Sequence, residues 1–301
     1  MTRATQILRE RSGVAAKRRP LVMGILNVTP DSFSDGGEHY REDDAVARAD
    51  AMIGEGADII DVGPESTRPG ATPISAKDQL LRAIPVIEAI RARHETISLS
   101  IDTRLASVAR AALSAGADIV NDVSALRDDP AMAETVAAAR SPVVLMHRRG
   151  TSETMQRDGG PHYDDVVGEV QAFLCERRDH AVACGIDPSC IILDPGLGFG
   201  KRVEDNLLLL RHIDRFVALG HAVLVGASRK RFLGSVLGVD DPKERRAGSL
   251  ACAVLAAAAG AAILRVHDVE ETVQALRLCE AVGSAERARP APDPPQELTP
   301  T

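Results

Sequence analysis

The side chains best suited to chemistry in this chain form two groups, one cationic and one of short acids and amides. The cations are Arg68, Lys230, Arg265 and His267, with Arg229 and Arg231 flanking Lys230 in the stretch VLVGASRKRFLG. Guanidinium forks and an ammonium on one rim suit phosphate or carboxylate recognition. The second group is Asn27, Asp102, Asn121 and Asp194, each at or next to the end of a short apolar run. Buried Asp and Asn side chains at such positions can pair with a heterocycle that carries adjacent N–H and amino donors. A dense anion on one side and a nitrogen heterocycle on the other imply a phosphorylated heteroaromatic substrate.

Each cluster also has a purely structural reading. Asp102-Thr103 and Asn121-Asp122 suit helix caps, DPGLGFGK a glycine-rich turn, and NVTPDS a proline turn. The three cations Arg229–Arg231 suit a solvated helix start, although cations are unfavourable at a helix N-terminus, which a nearby anion would explain better. What favours a site is that all eight clusters fall at the same end of their runs.

Those runs are residues 21–26, 57–62, 97–101, 118–120, 142–146, 190–193, 222–226 and 261–266. Their length and continuous apolarity are those of strands covered on both faces. Amphipathic segments between them, such as DDAVARADAMIGEGA and RLASVARAALSAGA, read as helices, with Gly56, Gly116 and Gly260 as C-terminal caps. Eight β/α units predict one (β/α)8 barrel over residues 21–283, and an open doubly wound sheet is the competing architecture. In a barrel of this kind the site lies where the strands end. Residues 1–20 read as a polar arm and residues 284–301 as a Pro-rich flexible tail.

Composition narrows the function classes. The net charge of -7 argues against nucleic acid or an anionic membrane as a bulk partner. Apolar residues make up 45% of the 301, with aromatics at 2% and no Trp, so the core must be aliphatic. Five cysteines, Cys175, Cys184, Cys190, Cys252 and Cys279, show no zinc-like spacing and read as reduced thiols. The start of the chain lacks a signal-peptide pattern, and AGSLACAVLAAAAGAAIL suits a packed helix running into a strand better than a membrane span. A soluble cytoplasmic protein is the expectation.

In this order and at these spacings, ILNVTPDSFSDGG, ESTRPGA, SIDT, NDVS, LMH, LDPGLGFGK, GASRK and RVHDV resemble the dihydropteroate synthase family over residues 21–283. That resemblance implies a (β/α)8 barrel, typically a homodimer. The implied reaction condenses 6-hydroxymethyl-7,8-dihydropterin diphosphate with 4-aminobenzoate, using Mg2+, in folate synthesis; the family is a sulfonamide target. Matched motif by motif, Asp102, Asn121, Met146, Asp194, Lys230 and Arg265 correspond to pterin-binding residues. Asn27, Arg68, Arg265 and His267 correspond to diphosphate ligands, Asn27 also holding the metal. Phe33, Thr67, Pro69 and Phe199 correspond to aminobenzoate walls, with Ser66 and Asp35 in the two loops that close over them. Arg68, Asp102, Asp194, Lys230, Arg265 and His267 form the implied catalytic set, with no covalent nucleophile.

Two departures from the family pattern stand out. Arg231 replaces the Ser common after GASRK and is expected to meet the aminobenzoate carboxylate. Pro64 stands where a second Gly is common, which stiffens that loop. Arg229 reads as a supporting rim residue, and His147, at a strand end, as a residue behind the site. A pterin-binding methyltransferase domain and a non-catalytic pterin-binding paralogue are the rival readings. The intact NVTPDSFSDGG and STRPG stretches argue against both.

Overall fold

The computed structural model of the chain describes residues 19–29, 38–65, 73–150 and 161–285. The apolar runs fold as eight parallel strands: β1 (Leu21–Asn27), β2 (Ile59–Gly63), β3 (Ser98–Asp102), β4 (Ile119–Asp122), β5 (Val143–Met146), β6 (Ile191–Asp194), β7 (Ala222–Val225) and β8 (Ile263–Val266). They pair in sequence order and close, β8 returning to β1, into one barrel. Closure excludes the open doubly wound sheet. The helices are α1 (Glu38–Gly54), α2 (Ala76–Arg93), α3 (Ala106–Ser114), α4 (Met132–Ala139), α5 (Val166–Ala183), α6 (Val203–Arg211), α7 (Ile213–Val217), α8 (Arg231–Leu237), α9 (Arg246–Ala258) and α10 (Val269–Ala285).

Helix ends obey local chemistry. Ser75 accepts the Asp78 N–H at 3.1 Å to start α2, and Asp165 accepts the Gly168 N–H at 3.0 Å to start α5. The expected caps close α1, α3 and α9: Gly56, Gly116 and Gly260 have φ of 102°, 112° and 93°. In each, the following Ala N–H returns to a carbonyl five residues back, the six-to-one bond of a glycine-closed helix. Strands β2, β4 and β8 start one or two residues later than their apolar runs suggest, because those turns consume the first residues. Asp58, read as strand, instead accepts the Val22 N–H at 2.9 Å and pairs with Arg19 at 2.7 Å.

Alternation along a strand decides what fills the barrel. Leu21, Met23, Ile59, Ile119, Val144, Ile192, Ala222, Leu224, Ala262 and Ile263 form one buried cluster distinct from the larger one under the helices. The register links these residues laterally: Met23 with Ile59, Val144 with Ile192, Ile192 with Ala222, and Leu224 with Ile263. They are therefore the interior face. Two or four residues further along the same face, towards the strand ends, stand Asn27, Asp61, Gly63, Ser100, Asp102, Asn121, Met146, Asp194 and Arg265. The barrel interior is thus aliphatic below and polar above, and in its upper layer charged groups from different strands meet.

Candidate functional site

Arg265 is the centre of the upper layer. Its Nε donates to Asp61 Oδ2 at 2.6 Å and its Nη2 to Asp102 Oδ2 at 2.9 Å. Asn121 Nδ2 donates to the same Asp61 oxygen at 3.1 Å. Asp61 is fully buried and Asp102 is 4% exposed. One guanidinium therefore serves two carboxylates, and each carboxylate keeps an oxygen, Oδ1, with no hydrogen-bond partner in the protein; Ser100 Oγ is in the same position. Buried polar atoms are ordinarily satisfied, so acceptors left bare at the closed end of a cleft are groups shaped for donors from elsewhere.

Electrostatics agree. Burial pushes the Asp102 carboxyl above its ordinary range, against the pull of Arg265 and helped by Asp61 and Glu65. Burial also opposes the Arg265 charge, but Asp61 and Asp102 hold the guanidinium firmly protonated. Asp194, at the end of β6, is pushed up to about 6 by burial, opposed by the Gly196 N–H and by Lys230, Lys201 and Arg265. Its Oδ1 accepts that Gly196 N–H at 2.7 Å.

The loop after β6 forms the second wall. The His147 N–H donates to the Asp194 carbonyl at 2.9 Å, extending the β5–β6 ladder by one residue. Gly196 has a φ of 67°, and a Cβ there would overlap the His147 carbonyl oxygen, so only glycine allows this approach of two backbones. The turn delivers Phe199 into a buried cluster with Met146 and Val123. Lys230 Nζ lies 3.9 Å from the centre of the Phe199 ring, a cation–π contact. Residues expected to line the pterin pocket (Met146, Lys230) and the aminobenzoate wall (Phe199) are thereby brought together.

The loop after β7 supplies the remaining cations. Arg229 adopts a φ of 58° and bonds Asp268 at 2.5 Å, while its N–H donates to Ser249 Oγ at 2.9 Å. It is a supporting residue, as expected. Lys230 precedes α8, and Arg231 opens that helix from an exposed position. His267 is held from two sides, its N–H donating to Ser228 Oγ at 3.2 Å and its Nδ1 lying 3.0 Å from the same hydroxyl. Asn27 ends β1 at the rim, beside Gly63. Phe33, Asp35, Ser66, Thr67, Arg68 and Pro69 lie outside the described residues. The base of the loop that carries Arg68 is anchored by Glu65, which accepts from Gln79 at 3.0 Å and Arg104 at 3.2 Å. The Pro64 carbonyl accepts from Arg82 at 3.1 Å.

Sequence reading passed over two residues, Asp61 and Lys201, and placed a third, His147, behind the site. Asp61 sits inside the apolar run ADIIDV, and its signal was a charge at interior spacing two residues after Ile59. Lys201 closes DPGLGFGK and is 5% exposed; burial lowers its ammonium to about 7, opposed by Asp194. His147, its neighbour, is driven down to about 2 by burial and then by Lys201, so its imidazole is neutral. A separate cleft of about 370 Å³ lies beside Arg127, Arg148, Arg149 and Glu169. Its cations Arg148 and Arg149 are already paired with Asp128 at 2.5 Å and Glu169 at 2.6 Å, so the bare acceptors lie in the barrel interior.

Fold and upper layer together define a barrel enzyme that receives a flat, donor-rich heterocycle. Residues 23–267 match the family described as pterin binding enzyme. The dihydropteroate synthase of Escherichia coli strain K12 is 50% identical over 266 residues, covering 88% of this chain and 93% of that protein. The dihydropteroate synthase of Xanthomonas albilineans, solved with 4-aminobenzoic acid, is 50% identical with a TM-score of 0.82, covering 91% of this chain and 95% of its own. The same enzyme solved with 7,8-dihydropteroate gives 47% identity and a TM-score of 0.79, covering 91% of this chain and 96% of its own. The chain belongs to the dihydropteroate synthase family of pterin-binding enzymes.

The raised carboxyl of Asp194 yields a pH prediction. The native state keeps a proton there that the unfolded chain releases near its ordinary value of 3.8, so between that value and about 6 the ligand-free protein loses stability as pH rises. Pterin binding runs the other way, because only the ionised carboxylate is a pure acceptor. Calorimetric affinity for the pterin substrate should fall as pH drops through about 7 and about 6, where Asp102 and then Asp194 take up protons, and level off above about 8, once both are ionised. Asp194→Asn should make the profile shallower and leave the Asp102 limb; an affinity in the native protein that does not change between about pH 5 and 8 contradicts it.

Proposed function

We propose that this chain is a dihydropteroate synthase whose buried, half-satisfied carboxylates are the pterin receptor. It condenses 6-hydroxymethyl-7,8-dihydropterin diphosphate with 4-aminobenzoate to give 7,8-dihydropteroate and diphosphate. The observation that carries this reading is the pair of unpartnered oxygens, Asp61 Oδ1 and Asp102 Oδ1, inside a closed barrel. They match a ring edge of amino and N–H donors.

The reaction breaks the bond between the pterin methylene and the diphosphate oxygen. The aniline nitrogen then bonds that carbon and releases one proton. Positive charge develops on the pterin methylene, and Asp102 and Asp194 favour it electrostatically. Lys230 donates to the pterin carbonyl and ring nitrogen, Asn121 and Met146 complete the pocket, and Phe199 forms a wall shared with the aminobenzoate. The leaving diphosphate is received by Arg68, His267 and Arg265. Arg265 can do this because Nε and Nη2 hold the two carboxylates while Nη1 is committed to neither. With the Ser228 hydroxyl as donor to His267 Nδ1, 3.0 Å away, the ring proton would stand on Nε2 for a phosphate oxygen. Phe33, Thr67 and Pro69 complete the aminobenzoate site, and no protein nucleophile is needed because the neutral amine attacks directly.

The residues suit Mg2+ as cofactor. Magnesium keeps most of its waters and binds through one or two protein oxygens plus substrate phosphates, and the Asn27 amide oxygen at the rim beside Gly63 is such a donor. When bound, the metal neutralises charge on the departing diphosphate.

The protein works as a cytoplasmic homodimer in this reading. Support comes from exposed Leu207, Leu208, Leu237, Leu255 and Leu278 on the adjoining helices α6, α8, α9 and α10, an apolar face suited to a second copy. Among the described residues no helix is long and apolar enough to cross a membrane, and the substrates are small molecules rather than nucleic acid or lipid.

A coupled assay tests the reading. Diphosphate should appear only with both substrates and Mg2+ present, and a chelator should suppress it. Pterin binding without turnover would identify a non-catalytic paralogue instead. Arg231→Ser tests the departure at α8. An exposed guanidinium at that rim gives a charge-assisted bond to the aminobenzoate carboxylate. Its loss should raise the aminobenzoate KM about threefold to tenfold with the pterin KM unchanged. An unchanged aminobenzoate KM overturns that role.

A further inference from the structure

Lys201 is, among the described residues, the most enclosed cation that the reaction does not use. Its Nζ donates to the carbonyls of Gly196 at 2.8 Å, Phe199 at 3.1 Å and His147 at 3.3 Å, and lies 2.9 Å from His147 Nδ1. An ammonium has three protons, so all of them are engaged and the side chain has nothing left to offer a substrate. What it holds is informative. The Gly196 N–H binds Asp194 Oδ1, Phe199 carries the ring under Lys230, and His147 follows Met146. The loop between these points is glycine-rich, with Leu197 packed into the main core and Phe199 against Met146 and Val123. Gly198 lies against the stem of Lys230, and Asn206 accepts its N–H at 2.6 Å.

We propose that Lys201 is a positioning residue, whose buried ammonium holds the β6 loop in the conformation that aims Asp194, Phe199 and, through Phe199, Lys230 at the pterin. This rests on the site roles given to those three residues above. A core lysine with only a structural duty would have no reason to gather the three carbonyls next to three substrate-facing side chains. A hydrocarbon there would take this donor from the His147 and Phe199 carbonyls and leave the Gly196 carbonyl only the Phe199 N–H, and the loop would open to hydrate them. Lys201 also acts at a distance. Lys230, Lys201 and Arg265 are the cations that favour the ionised form of Asp194, so removing one makes the carboxylate harder to ionise.

The test is calorimetric binding of pterin diphosphate to the full-length enzyme across pH, with thermal unfolding as a check on folding. Lys201→Met should weaken binding about tenfold at about pH 6.5, where the ammonium is charged, and move the acid limb of the affinity profile upward by about half a pH unit or more. Lys201→Gln keeps two donors without the charge. It should recover part of the affinity while its acid limb stays displaced, a split that a scaffold defect would not produce. If Lys201→Met does not fold, the limb of Lys201→Gln decides alone. Binding within about twofold of the native protein, with an unmoved limb, overturns the proposal. Asp194→Asn and Phe199→Leu are measured alongside. If both also bind normally, the site roles fail and the proposal falls with them; if both are impaired while the Lys201 variants are not, only the role of Lys201 fails.

Discussion

One guanidinium shared between two carboxylates inside a closed barrel governs how this site is built. Arg265 reaches across the upper layer to Asp61 at 2.6 Å and Asp102 at 2.9 Å, joining strands β8, β2 and β3 where water is scarce. The guanidinium offsets part of the cost of burying both acids, and as carboxylates they exceed its charge by one. That excess is unfavourable for the empty protein: burial raises Asp102 and Asp194 above their ordinary range. It is favourable once a ring edge of N–H donors and a carbon gaining positive charge arrive. The barrel's aliphatic lower layer carries the stability that lets the upper layer hold such an arrangement, since active-site groups poised for a ligand are commonly destabilising without it.

The two loops after β6 and β7 turn this receptor into a shaped pocket. The β6 loop must pass close to the backbone after β5, which is why glycine stands at 196, and a buried lysine holds its carbonyls while Leu197 and Phe199 pack its apolar side. The β7 loop is fixed from behind by Arg229 with Asp268 and by Ser228 with His267, so that Lys230 leaves it in a set direction and meets Phe199. Both loops are held by polar bonds at their bases and present their functional side chains on top. The residues directly after β2 are also held by polar bonds, with Glu65 bound to Gln79 and Arg104.

The strand ends were legible in sequence because each polar cluster interrupts an apolar run, and folding alone gives no reason for eight such interruptions at the same end. Asp102, Asn121 and Asp194 stand where that pattern puts them, on the interior face. Asp61 was hidden by the same pattern. It lies inside a run rather than at its end, and only the two-residue period from Ile59 would have exposed it. The partnership of Arg265 was beyond any local signal, since its two acids lie 204 and 163 residues away along the chain. Lys201 was quoted within a glycine-rich motif but given no role, because its meaning lies in three carbonyls brought together only by the fold. Arg229, one of three adjacent cations, was separable from Lys230 by the expectation of a rim role, which its bond to Asp268 explains.

The central claim is that ionised acids are kept in the barrel interior at the expense of the empty protein's stability and for the sake of the pterin. Measuring the unfolding midpoint and the pterin affinity together on Asp102→Asn tests it most directly. Asp61 alone then balances Arg265, so the midpoint of the ligand-free variant should equal or exceed that of the native protein, while affinity falls about 100-fold with the loss of charged acceptors. A markedly lower midpoint combined with native affinity would contradict the account.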